Sequence, residues 1–67
     1  MNTMTITVTG MTCGHCVASV TEEITELAGV EGVEVDLPTG SVTITSSEPL
    51  DPTAVAGAVE EAGYAVA

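Results

Sequence analysis

Lysine and arginine are absent from this 67-residue chain, which carries ten acidic side chains, one histidine and a formal net charge of −10 at pH 7. Positive charge is therefore confined to the N-terminal amine and to His15 when it is protonated. Phosphate backbones are neutralised by Lys and Arg, so the chain is not expected to bind nucleic acid. Direct attraction to an anionic membrane surface is argued against on the same ground. Two readings of the acidity remain: a solvated surface, or a face that meets a basic partner.

Phenylalanine and tryptophan are also missing, and there is a single tyrosine. The core must then come from Val, Ile, Leu and Ala, which suit a thin sheet covered by short helices. A chain of this length forms one domain, residues 1–67, and buries only about 60% of its unfolded surface. There is no room for a catalytic domain beside a binding domain. No segment approaches the roughly 20 apolar residues of a membrane-spanning helix. The N-terminus lacks a basic region followed by an apolar run, so no export signal is read and a cytoplasmic location is expected. In that setting two closely spaced cysteines point to metal or redox chemistry and away from a disulfide scaffold.

What is present is patterned. Met4-Thr5-Ile6-Thr7-Val8-Thr9 alternates apolar and polar residues, predicting a strand with one buried face that Gly10 ends. From about Gly14 to Ala28 the period becomes helical, with Val17, Val20, Ile24 and Leu27 on one stripe and Gly29 as the stop. Val33 to Leu37 and Val42 to Thr45 alternate again around Pro38-Thr39-Gly40, a predicted hairpin. Asp51-Pro52 opens a second helix, with Val55, Ala58, Val59 and Ala62 on one face and Gly57 as a weak interior position. Gly63 closes it, and Tyr64 to Ala67 can add a short edge strand. The order β-α-β-β-α-β predicts a split βαβ sandwich of α+β class: a four-stranded antiparallel sheet with both helices on one face.

Between the first strand and first helix lies Gly10-Met11-Thr12-Cys13-Gly14-His15-Cys16. A loop-to-helix junction can bring the sulfurs of Cys13 and Cys16 within a few ångströms. The partial positive charge of the helix N-terminus favours thiolate, while the many remote carboxylates oppose it. Thiolates select soft ions, and copper(I) accepts two ligands where structural zinc usually takes four. A two-sulfur, partly exposed site suits a carrier, because a second pair of cysteines can take the ion by ligand exchange.

With these residues the chain resembles the heavy-metal-associated domains of bacterial copper chaperones and copper-transporting P-type ATPases. The likeness rests on the Gly10 to Cys16 loop, the turn after the second strand and Glu61-Ala62-Gly63-Tyr64, and it runs along essentially the whole chain. It implies a ferredoxin-like fold, Cu(I) bound by Cys13 and Cys16 with Ag(I) as a surrogate, and delivery to the metal-binding domain of a copper-transporting P-type ATPase, a role in copper homeostasis. Met11 would then pack inward and brace the loop, as a methionine here is also expected to do on packing grounds. Tyr64 would lie on the loop facing the metal; independently it reads as an aromatic at the edge of the core. Thr12 stands where zinc-preferring relatives often carry an acidic residue, which favours copper. His15 either remains exposed and acts through its charge, or joins as a weak third ligand in a copper-bridged homodimer. A copper-responsive regulator is a further conceivable recipient. The absence of Lys departs from the family and removes docking through basic patches on this chain.

Rival readings share the motif. Cys13-Gly14-His15-Cys16 also matches the dithiol of disulfide isomerases, which would make the chain a thiol-disulfide redox protein. That scaffold usually has about 100 residues, a Trp before the first cysteine and a proline loop facing the dithiol. Here Thr12 precedes Cys13 and no Trp exists, so an enzyme is not expected. Mercury, silver and zinc are alternative cargoes, although mercury carriers with this motif are generally exported. The chain could also be a metal-binding module of a larger heavy-metal ATPase; an initiating Met1 and an end after the last strand favour a freestanding protein.

Overall fold

A computed structural model describes residues 1–11 and 14–67. The first strand, β1 (Asn2–Thr9), turns Met4, Ile6 and Val8 to the core and its threonines to water. It begins earlier than the alternation at Met4 suggests, because Asn2 and Thr3 find partners in Ser46 and Thr45. The first helix, α1 (Gly14–Thr25), buries Val20 and Ile24 completely. It stops short of Ala28. The Thr25 hydroxyl donates to the Thr21 carbonyl (2.6 Å), the Leu27 amide reaches back to Ile24 (3.0 Å), and Gly29 turns the chain at φ +88°. Leu27 still packs on the core from this turn.

The hairpin β2 (Val30–Asp36) and β3 (Ser41–Ser46) sets Val33 opposite Ile44 and Val35 opposite Val42. An irregularity between Val30 and Gly32 lets β2 start ahead of its alternating stretch, while Leu37 falls in the turn and is exposed. On β3 the inward period continues to Ser46, whose buried hydroxyl donates to the Glu48 carbonyl (2.7 Å). Among the described residues no buried side-chain polar atom lacks a partner, as the cost of burying an unpaired one demands.

The second helix, α2 (Pro52–Glu61), starts as its sequence predicts: Asp51 Oδ1 accepts the Thr53 amide at 2.9 Å and Pro52 occupies the first turn. Its end is a Schellman cap. Gly63, at φ +95°, donates to the Glu60 carbonyl (2.9 Å), and Tyr64 donates to the Val59 carbonyl (3.1 Å). The chain then forms β4 (Ala65–Val66), paired to Thr9 and Val8 of β1.

The sheet order is β2-β3-β1-β4, with every neighbouring pair antiparallel. Val20 and Ile24 of α1 and Val55, Ala58 and Val59 of α2 share one cluster with Val8, Val42 and Ile44. Both helices therefore cover the same face, and the threonines of β1 line the other. This is the expected ferredoxin-like α+β sandwich. Among the described residues no helix is long and apolar enough to cross a membrane.

Candidate metal centre

The cysteine motif falls between the end of β1 at Thr9 and the start of α1 at Gly14. Gly10 closes the strand at φ +92°, a conformation that favours glycine. Met11 follows, half-buried and packed against the core. Thr12 and Cys13 lie outside the described residues, so the expected pairing of Cys13 with Cys16 is not described geometrically.

Cys16 is the third residue of α1 and is half-buried. It belongs to the first turn, whose amides an α-helix leaves without intrahelical partners and where the helix dipole favours negative charge. No acidic side chain occupies that turn to compete. His15 precedes it on the helix and is exposed. Successive helical residues point about 100° apart, and accordingly Cys16 is half-buried while its neighbour His15 is exposed.

Tyr64 reaches this end of the molecule by another route. It is the residue that completes the α2 cap, and it packs half-buried against the core. The antiparallel ladder pairs Val8 with Val66 and Thr9 with Ala65, and the Thr9 hydroxyl donates to the Ala65 carbonyl (3.2 Å). Continuing that register sets Tyr64 beside Gly10. A Cβ placed on Gly10 would stand 3.3 Å from Tyr64 Cδ1 and 3.9 Å from Cε1. Tyr64, expected on the loop facing the metal and as an aromatic at the edge of the core, packs on the core with its ring close to Gly10. Gly10, expected to end the strand and open the cysteine loop, also lies close to this ring. The clue to the rest was the β1–β4 register, which needs the pairing before it can be read.

Chemically, a cysteine at a helix start, next to a loop carrying a second cysteine, suits a soft, thiophilic cation. Elsewhere among the described residues no three His, Cys, Asp or Glu side chains converge as a metal site. The loop is the candidate.

Comparisons with known proteins show the family of the chain. A family model described as "Heavy-metal-associated domain" matches residues 5–65. The chain is 38% identical over 68 residues to "Copper chaperone CopZ" of Bacillus subtilis (strain 168), covering 100% of this chain and 99% of that one. It is 40% identical over 63 residues to a "Probable copper-exporting P-type ATPase" of Archaeoglobus fulgidus, covering 92% of this chain but 8% of the ATPase. Among solved structures, one titled "CopZ metallochaperone" superposes with a TM-score of 0.92 at 28% identity, over 98% of this chain and 100% of that one. A match over almost the full length, in sequence and in fold, leaves one assignment: the chain belongs to the heavy-metal-associated domain family.

Proposed function

We propose that this protein is a copper(I) chaperone of the cytoplasm, binding Cu(I) between the thiolates of Cys13 and Cys16 and passing it by ligand exchange to the metal-binding domain of a copper-transporting P-type ATPase. The observation that carries this reading is the similarity to "Copper chaperone CopZ" of Bacillus subtilis over the whole of both chains. The position of Cys16 in the first turn of α1 supports it, since the helix start stabilises the thiolate that a soft ion needs. Two sulfurs suffice for copper(I), and a third from an incoming cysteine gives an intermediate through which the ion moves without being released. The similarity to a copper-exporting ATPase supports the proposed recipient, because donor and acceptor would then share one fold and one ligand pair. Ag(I), equally soft, is expected at the same sulfurs. A copper-bridged homodimer and a copper-responsive regulator as a second recipient belong to the same proposal.

The test is competition with a chromogenic copper(I) chelator. About one equivalent of copper(I) per chain should resist the chelator, and the Cys13→Ser, Cys16→Ser double variant should hold none. Tight binding retained by that variant would refute the ligand assignment. A disulfide-reduction assay separates the redox reading, as a carrier shows no turnover beyond that of a simple dithiol. The likeness to a short stretch of an ATPase favours one further reading, a module of a larger transporter. An immunoblot of source cells decides between them: a band near 6.7 kDa supports the chaperone, and a much larger one the module.

A further inference from the structure

The geometry points to Gly40 as a positioning residue for the metal loop: through it the β2–β3 turn grips the end of β1 and fixes the point from which the loop departs. This inference rests on the copper reading above and adds to it a residue from a different part of the chain.

β3 begins at Ser41, opposite Thr7, so the β1–β3 ladder ends before Val8. Val8 is buried, and a buried amide without a partner is costly. Gly40 supplies the partner. Its carbonyl accepts the Val8 amide at 2.8 Å, while its own amide donates to the Asp36 carbonyl, also at 2.8 Å. One residue thus ties the last residue of β2 to the end of β1. The turn is itself closed, since the Ser41 amide donates to the Thr39 hydroxyl oxygen at 3.2 Å. Only glycine fits this place. Gly40 has a φ of +74°, and a Cβ on it would stand 2.7 Å from the Val8 carbonyl oxygen, a backbone atom that cannot swing aside. Gly63 also has a positive φ, yet a Cβ there meets nothing within 4 Å. The crowding at Gly40 therefore comes from its grip on β1 and not from its backbone conformation alone.

The two cysteines depend on different elements. Cys16 is part of α1, whereas Cys13 is reached along the chain from β1 through Thr9 and Gly10. A shift of the strand end moves the tether of one sulfur relative to the other, and a two-sulfur site is only as firm as that relation. A looser strand end also lets the loop yield sooner to an incoming thiolate.

Copper(I) loss to a chromogenic chelator tests the role, with Gly29→Ala as the reference for plain destabilisation. Gly29 has a positive φ, +88°, and is crowded by Glu48 Cγ at 3.0 Å, but it lies between α1 and β2 and is bonded to Ser47. Gly40→Ala should speed copper loss by at least about threefold, the scale of one lost hydrogen bond, while Gly29→Ala stays within about twofold of the wild type. A Gly29→Ala effect as large as that of Gly40→Ala, or a Gly40→Ala protein that matches the wild type, would overturn the inference. A synthetic chain with an ester in place of the Val8 amide covers the case in which Gly40→Ala does not fold, because it removes the same bond and adds nothing at the turn. It too should lose copper at least about threefold faster, and an unchanged rate would overturn the inference. In metal-free wild type the Val8 amide should exchange at least about a hundredfold more slowly than in an unstructured peptide; an unprotected amide would overturn the grip. A wild type that binds no copper overturns the functional reading and the loop role together. The amide result, obtained without metal, tells that failure from a failure of the packing.

Discussion

His15 and Cys16 are adjacent in sequence and part company in space, one exposed and the other half-buried in the first turn of α1. That divergence assigns them different work. A sulfur near the helix start gains from the dipole at short range, while an exposed side chain interacts with the site through a screened field. Replacing His15 by Ala should therefore leave copper(I) affinity within about threefold of the wild type, since an exposed charge contributes well under 1 kcal/mol. A loss of about a hundredfold in chelator competition would instead identify His15 as a ligand. Met11 shows the same logic in reverse. A thioether close to two cysteines looks like a third ligand, yet Met11 is half-buried and packed against the core.

At the scale of elements, the helices differ in how completely their own residues define them. Both ends of α2 are specified locally, by Asp51 and Pro52 at the start and Gly63 at the stop. Asp51→Ala should cost about 1 kcal/mol by leaving the Thr53 amide without its cap. Gly57 lies inside α2 where an added Cβ meets nothing within 4 Å, so it gives up helix propensity without a packing return. Gly57→Ala should stabilise the fold by up to about 1 kcal/mol, raising the melting temperature by roughly 4–8 °C in a domain this small. Thermal melts followed by circular dichroism check both substitutions; a Gly57→Ala protein that melts lower would show that the position serves something other than α2. The C-terminal end of α1 is less local. Its apolar stripe runs on to Leu27, yet the helix stops at Thr25, and Leu27 reaches the core from the turn.

Over the whole molecule, charge is the dominant unbalanced term. Ten carboxylates occupy a body of 30 × 19 × 18 Å with no lysine or arginine to offset them. At 0.01 M ionic strength the screening length is about 30 Å, so every carboxylate acts on every other; at 0.1 M it is about 10 Å and only neighbours interact. Since unfolding spreads these charges apart, low salt should destabilise the native state. The melting temperature is expected to climb by several degrees between those two conditions, and a flat profile would show that the charges are already far enough apart to be harmless. The proposed docking follows the same physics. An acidic carrier should associate faster with a basic acceptor at low salt, a trend that stopped-flow measurements of copper transfer with the purified acceptor domain would reveal.

Much of this protein is legible along the chain, because its signals are local. Period-two alternation marks Met4 to Thr9, helical spacing marks Val20 and Ile24, and cap residues mark the bounds of α2; each depends on neighbours within a few positions. The loop from Gly10 to Cys16 is equally visible, and so is the absence of cations that shapes its surroundings. Other features needed the fold. The early starts of β1 and β2 come from partners on β3, and the burial of Ser46 comes from its place at the end of an inward-facing row. The contact of Gly10 with Tyr64 arises only when β4 pairs with β1 and the α2 cap fixes the ring. Sequence periodicity carries which face a residue takes, whereas register between distant strands decides which residue it meets.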